Sequence, residues 1–486
     1  MVRNVFTHGA LYALAGAVSN GISFLLFPLL AHVLSPAEFG VVDLLAVLAT
    51  LIHLTIALEI VQGMARQLPD SDIEERRAYA STALWFTIAV YTPFALVGLA
   101  LAGPLTDEFL GRGIDPDVLR IAVAAAWATG VMYVGQNTLR FELRPRAFVV
   151  VTVVLAGVTA STTAVLLVTL GGRAEYALAG QLAGATAGAV VALWLARRNY
   201  GLCFDRAKLR TMLAFSVPLV PASVGVFLNT YTDRLAIKAT RSLADLGVYG
   251  VGLRLSLVVG LVLLGFQGSV TPLVLTHYRE PGTPAALARI FRIFSLLALA
   301  LFVGVSVFAH EALALLTAPA YHAAEHLVPP LTAAALLAGM YIFAPGLTIA
   351  RRTGPMAAIS VAGGLANVGM AFALVPVVGV EGAAIAFLVT SAASFAALMT
   401  LSQREYHVPH DWRRLTSAAA AAVAAAVAGA AIPDHGIQPA AVLIKLGLLG
   451  VAFTTICTLL LSPEERARVR AIPAAALAAR AAPRGA

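Results

Sequence analysis

Charge is what this chain lacks most. Asp, Glu, Lys and Arg make up 12% of its 486 residues, about half the share of an ordinary soluble domain. The polar connections between its apolar stretches are short, which leaves no room for a sizeable aqueous domain. Cysteine is nearly absent. Cys203 lies in a connection and Cys457 in a late apolar segment, so no disulfide framework is indicated. Lysine is reduced to Lys208, Lys238 and Lys445. A glycine-rich phosphate loop ending in Lys is missing, which argues against ATP hydrolysis. The first apolar run, residues 8–32, is too long for a signal-peptide core and reads as a retained first span.

What the chain has is hydrocarbon. It is 60% hydrophobic, and its apolar runs recur at lengths that cross ~30 Å of bilayer core. Fourteen spans are predicted, at 8–32, 40–65, 78–102, 118–139, 148–170, 176–196, 212–237, 247–275, 289–313, 327–350, 355–376, 382–402, 415–432 and 438–461. With the N-terminus in the cytoplasm, twenty-five Lys and Arg fall on the cytoplasmic side and five on the other, while Arg234, Arg254 and Lys445 fall inside spans. That asymmetry supports both the count and the orientation. It also accounts for the net charge of +8 without a nucleic-acid partner. The expected location is a bacterial cytoplasmic membrane, with both termini cytoplasmic.

The chain also repeats itself. Ser35-Pro-Ala-Glu-Phe-Gly-Val41 recurs as Ser242-Leu-Ala-Asp-Leu-Gly-Val248, 207 positions later. The Ala/Gly-rich segment from Glu175 to Arg198 recurs from Glu381 to Arg404, shifted by 206. A duplicated half in an apolar chain points to a transporter of two related bundles. Six spans per half is even, so both halves enter from one side and are parallel repeats. The fold class expected is all-α and polytopic: lobes at 1–206 and 207–413, an added helix pair at 414–461 and a cytoplasmic tail at 462–486. A cavity between the lobes is the expected substrate path, with alternating access. Gly180, Gly184 and Gly188 clear one helix face for close packing. Pro28, Pro93, Pro218, Pro221, Pro272 and Pro345 sit in or near spans, as hinges or as packing kinks.

Ionisable groups inside spans are costly and mark cavities or partners. Asp233 and Arg234 lie near the outer end of the seventh span, and Asn229 shares a face with Asp233. Arg254 enters the eighth span to a similar depth. Two guanidinium groups suit a phosphate or pyrophosphate, and Arg254, Arg234, Asp233 and Asn229 are the candidate substrate site. A structural Asp–Arg brace is the competing reading. Asp43 and Glu59, in the second span, are candidate ion-coupling carboxylates, because a desolvated carboxyl binds a proton more readily. An interfacial Glu59–Arg66 contact competes for Glu59. His53 lies between these two carboxylates in sequence, and spacings of ten and six residues do not place all three on one helix face. Lys445 is assigned no role beyond snorkelling or facing lipid. His322, Glu325 and His326 match a zinc-protease pattern, but without a domain around them no metal is expected. No cofactor is expected either.

The turn Leu34-Ser-Pro-Ala-Glu-Phe-Gly40, the stretches Asn229-Thr-Tyr-Thr-Asp-Arg-Leu235 and Ala244-Asp-Leu-Gly-Val-Tyr249, and Val375-Pro-Val-Val-Gly-Val-Glu-Gly-Ala-Ala384 resemble the polysaccharide transporter family. This family holds the oligosaccharide flippases of the multidrug/oligosaccharidyl-lipid/polysaccharide exporter superfamily. The resemblance covers about residues 1–410. It implies a V-shaped pair of six-helix lobes with a cationic lumen, rather than an enzyme. The implied activity is transfer of polyprenyl-diphosphate-linked oligosaccharide to the outer leaflet for surface polysaccharide. H+ or Na+ coupling is implied too, with polysaccharide polymerases or glycosyltransferases as partners beside the membrane lipids. Fourteen spans bring in the lipid II flippase branch, but no Arg lies between Arg3 and Arg66, unlike that branch's arginine-rich early spans. An ion-coupled multidrug antiporter of the same fold is the alternative kept alive by Asp43, Glu59 and Asp233. A polyprenyl-phosphate glycosyltransferase would need a larger aqueous domain than the loop at 103–117. A non-transporting scaffold would tolerate neutral residues throughout the lumen.

Overall fold

A computed structural model describes residues 2–260, 263, 266, 270, 274, 276–350, 352–432, 438–463 and 465–466. Pro272, Arg351 and most of the expected tail lie outside these residues. Every described element is helical. The long helices are α1 (Val2–Val33), α2 (Pro36–Thr55), a short α3 (Ile60–Gln67), α4 (Ile73–Ala100), a short α5 (Ala102–Phe109), α6 (Pro116–Phe141), α7 (Pro145–Leu170) and α8 (Ala174–Leu195). They continue with α9 (Arg206–Ser216), α10 (Val220–Thr240), α11 (Leu243–Ser256), α12 (Thr283–Val307), a short α13 (Ala309–Leu316) and α14 (Val328–Gly339). The series ends with a short α15 (Gly346–Ile349), α16 (Thr353–Val378), α17 (Val380–Glu405), α18 (Trp412–Ala430) and α19 (Pro439–Leu460). Among the described residues, ten helical stretches are long and apolar enough to cross a membrane, and eleven if the bent pair α9–α10 is one span. The expected first, eighth and thirteenth spans fall on α1, α11 and α18, outside that count.

Start signals in the sequence place the helix ends. Ser35 accepts the Glu38 N–H at the head of α2, with Pro36 following. In the repeat copy, Ser242 and Asp245 cap each other reciprocally at the head of α11. This is a capping box that satisfies otherwise orphaned N–H groups. Glu38 has diverged from that job: its carboxylate accepts the Ala174 N–H at the head of α8. Asp72, Asp115, Asp205 and Asp411 cap α4, α6, α9 and α18.

Several expected spans are not single helices. The second breaks between Thr55 and Ile60, where Leu58 and Glu59 take positive φ of 49° and 52°. A non-glycine residue held there costs about 1–3 kcal/mol, and such residues gather at functional sites. The apolar pattern of residues 40–65 runs through the break, so composition alone does not reveal it. The tenth is segmented: a 3₁₀ stretch Pro319–Leu327, then α14, a second 3₁₀ turn Met340–Phe343 and α15. Prolines bend the seventh, with α9 and α10 meeting at 45° around Pro218 and Pro221.

Packing groups the chain into two compact units. One holds Met1–Val251, Leu316–His322 and Ser360–Ala383, the other Gly252–Leu315, Ala323–Ile359 and Ala384–Ala486. This grouping records contact and does not bear on the repeat boundary at 206. In the first unit, α8 lies tight on α7. A Cβ at Gly180 or Gly184 would strike Thr163 or Thr159, and one at Gly188 would crowd Met132. The first unit also shows the duplication as geometry. A Cβ at Gly40 would overlap the Leu243 carbonyl, and one at Gly247 the Pro36 carbonyl. Each residue of the repeated motif therefore meets the partner of its own copy, the reciprocal pattern of a two-fold contact. The second unit is built around aromatic packing, with Phe294 and Phe343 ring centres 4.7 Å apart and Phe266 5.1 Å from Phe294.

Candidate functional site

Beside the Gly40–Gly247 crossing, one turn further along α2, Asp43 is 7% exposed. Its carboxyl lies against Gly250, where a Cβ would crowd it. Arg234 of α10 is 8% exposed and donates through Nε to Asp43 Oδ2 at 3.0 Å. Its Nη1 donates to the Thr230 carbonyl at 3.1 Å and faces Asp233 Oδ1 at 3.5 Å. Asp233 Oδ1 also accepts the Arg234 backbone N–H at 2.9 Å. The fully buried Tyr249 of α11 donates its hydroxyl to Asp233 Oδ2. Four buried polar side chains thus tie α2, α10 and α11 into one cluster. Among these four, two carboxyls face a single guanidinium.

The structure brings Asp43, Asp233 and Arg234 together, which the spacing along the chain does not predict. Tyr249 is a member of the cluster that sequence reasoning missed; the signal available was a tyrosine directly after the repeated motif that ends at Val248. Asn229 stands half-buried on α10, its carbonyl facing Asn367 Nδ2 at 3.5 Å. Arg254 belongs to the second unit, half-buried on α11 beyond Gly252. Glu59 sits at the break in the second span, where Ser223 of α10 donates its hydroxyl at 2.7 Å. Arg66 instead pairs with Asp70 at 3.0 Å. His53 meets the Tyr91 hydroxyl through Nδ1 at 2.7 Å.

Lys445 is neither snorkelling nor lipid-facing. Its side chain is 1% exposed and its ammonium lies 2.8 Å from Glu311 of α13. The match to a zinc-protease pattern dissolves on its backbone. Residues 319–327 form a 3₁₀ helix, in which positions four apart do not share a face. Glu325 pairs with His310 at 2.8 Å and with His326 at 3.3 Å. Among the described residues no group of three or more ligands is placed to hold a metal ion.

The polysaccharide biosynthesis protein family matches residues 29–325, a stretch that contains the crossing, the break and the whole buried cluster. The chain belongs to that polysaccharide biosynthesis family. The resemblance read from the motifs is thereby borne out. No curated protein matches this sequence. Solved structures share the fold of this family member. The lipid II flippase MurJ, in an inward closed conformation, superposes with a TM-score of 0.72 at 11% identity, over 92% of this chain and 98% of that one. An inward-facing multidrug resistance MATE family transporter of the MOP superfamily has 0.63 at 15%, over 82% and 95%. An outward-facing MATE structure has 0.59 at 15%, over 84% and 96%. The chain is thus a member of the polysaccharide biosynthesis family that carries many membrane-length apolar helices and shares the fold of these flippase and transporter structures.

Proposed function

We propose that the protein flips polyprenyl-diphosphate-linked oligosaccharide across the bacterial cytoplasmic membrane for surface polysaccharide. The Asp43–Arg234–Asp233–Tyr249 cluster carries this reading together with the family. It lies near the outer ends of the second, seventh and eighth spans, in the orientation set by the arginine asymmetry. Spans two and seven come from lobes 1–206 and 207–413, so the cluster latches the lobes on the outer side. Alternating access requires it to part. When it does, Arg234 exchanges two carboxylates for a ligand, and a diphosphate is the bidentate anion that a guanidinium fits. Arg254 is carried as a second candidate cation for the diphosphate, and Asn229 and Asp233 as further candidate substrate-binding residues. Asp43 here and Glu59 on the broken span are the carboxyls through which an H+ or Na+ gradient would act. Polymerases or glycosyltransferases would take or supply the glycan.

The experiment is a deletion strain. Lipid extracts are analysed by mass spectrometry for polyprenyl-linked oligosaccharide, beside surface polysaccharide. Accumulated carrier-linked glycan with lost surface polymer supports the flippase and identifies its substrate. Unchanged carrier lipids overturn it and favour a cation antiporter, to which the carboxylates of Asp43 and Asp233 would suit a cationic substrate. Accumulated lipid II, the cargo for which the MurJ flippase is named, supports the third reading.

A further inference from the structure

A second polar site stands in the second unit, apart from the buried cluster. The start of α12, the connection into α18 and the end of α19 enclose a cavity of about 470 Å³. Arg289, Arg292, Arg414 and His410 line it, with Asp411 and Glu465. Glu465 already occupies two of the arginines: it accepts from Arg292 at 2.9 and 3.0 Å and lies 3.2 Å from Arg289 Nε. Arg414 pairs with Asp411 at 2.9 Å. Among the described lining residues, three arginines against two carboxylates leave one positive charge in surplus. Polar capacity is left over too. Arg292 Nε and both ring nitrogens of His410 are shielded from solvent and have no hydrogen-bond partner among the described residues. An imidazole with two idle nitrogens, beside a guanidinium with one idle N–H, is an incomplete polar network.

An apolar groove adjoins the cavity. Phe395, Met399 and Trp412 line it along α17. The ring of Trp412 stands 5.2 Å from His410 and is 42% exposed, as befits an aromatic at a membrane interface. The arginines belong to the side that the charge asymmetry assigns to the cytoplasm. A basic pocket between helix ends that opens onto an apolar groove fits a headgroup and an acyl chain at once.

We propose that this cavity binds the phosphate of an anionic phospholipid from the cytoplasmic leaflet. Arg292, Arg414 and His410 supply the donors, the Trp412 groove takes one acyl chain, and Glu465 is the resident anion that limits affinity. Free inorganic phosphate shares the headgroup chemistry but has no use for the groove.

The full-length protein in detergent is titrated with phosphatidylglycerol or phosphatidylcholine, and bound lipid is counted by native mass spectrometry. Phosphatidylglycerol is expected to be retained at least about tenfold better. Arg414→Gln should weaken it about fivefold, and Glu465→Gln should tighten it about fivefold, each being the effect of one charge at an anionic surface. His410→Phe should weaken it as well. A gain in Glu465→Gln cannot come from misfolding, which keeps the test open if the losses prove structural. Equal retention of the two lipids, or an affinity indifferent to Arg414→Gln and Glu465→Gln, overturns the proposal. Displacement by millimolar inorganic phosphate assigns the cavity to the free anion and overturns the lipid.

Discussion

Arg234 has three acceptors within reach of its guanidinium, and only one of them, Asp43, comes from a distant part of the chain. Removing one partner of a buried ion pair costs about 3–5 kcal/mol, because the other charge stays desolvated. Asp43→Asn is therefore expected to lower the thermal stability of the purified protein. Asp43→Asn combined with Arg234→Gln should cost less than the two single changes summed, since the contact they share is lost only once. Additive losses in that double-mutant cycle, within about 0.5 kcal/mol, would show that the two side chains do not couple. Arg254 is argued differently, through transport. Arg254→Ala is expected to abolish polysaccharide output while folded protein stays in the membrane. Arg254→Lys should keep part of it, because the charge survives and the planar fork does not. Normal output from Arg254→Ala at native expression removes the phosphate-binding role.

At the scale of elements, the crossing of α2 and α11 leaves no room for a side chain on either glycine. Gly40→Ala and Gly247→Ala should be about equally damaging, because each Cβ would enter a backbone carbonyl of the other copy. The measurement is the amount of monodisperse protein recovered from membranes. A tolerated Gly247→Ala beside a destructive Gly40→Ala would deny the reciprocity. The added helix pair is held by charge as well as by apolar contact. Lys445→Met strands Glu311 and is expected to cost about 3–5 kcal/mol, whereas Lys445→Met with Glu311→Leu should restore most of it.

The connection into α18 adds a pH dependence. Burial and the neighbouring His407 lower the His410 pKa to about 4, with Arg289, Arg292 and Arg414 lining the same cavity. Unfolded, the ring titrates near 6.5. The unfolded chain then binds more protons between these values, so stability falls as pH drops from about 6.5 towards 4 and is unaffected above. His410→Phe should flatten that part of the thermal-unfolding profile relative to wild type.

The architecture was legible where a single physical signal dominates. Long apolar runs mark most of the spans, and the Ser35 and Ser242 motifs announce both caps and duplication. What was not legible depends on partners distant in sequence. Glu59 looks like any carboxylate in a helix, because the left-handed turn at Leu58 and Glu59 leaves no mark on the apolar pattern. Lys445 reads as a snorkelling residue until Glu311, 134 positions away, is placed beside it. Tyr249 reads as motif until Asp233 comes within reach.

For the whole molecule, the latch and the proposed lumen make a joint prediction. If Asp43, Arg234, Asp233 and Tyr249 hold the outer ends of their spans together, weakening them must raise the population open to that side. A ligand or substitution shifts such an equilibrium only by its differential effect on the two states. Asp43→Asn acts on the closed state alone, so most of its cost appears as opening, and a few kcal/mol exceeds a tenfold change. Asn229 reports it, being half-buried next to the cluster. The exposed Cys203 and the half-buried Cys457 are replaced by Ser, and a cysteine is placed at position 229. Labelling by a membrane-impermeant maleimide from the outer side should then be at least about tenfold faster with Asp43→Asn than without it. Unchanged labelling would make the cluster a static brace, the reading that competes with it from the sequence onward. Faster labelling from the cytoplasmic side alone would reverse the orientation drawn from the arginines, and with it the side on which the latch closes.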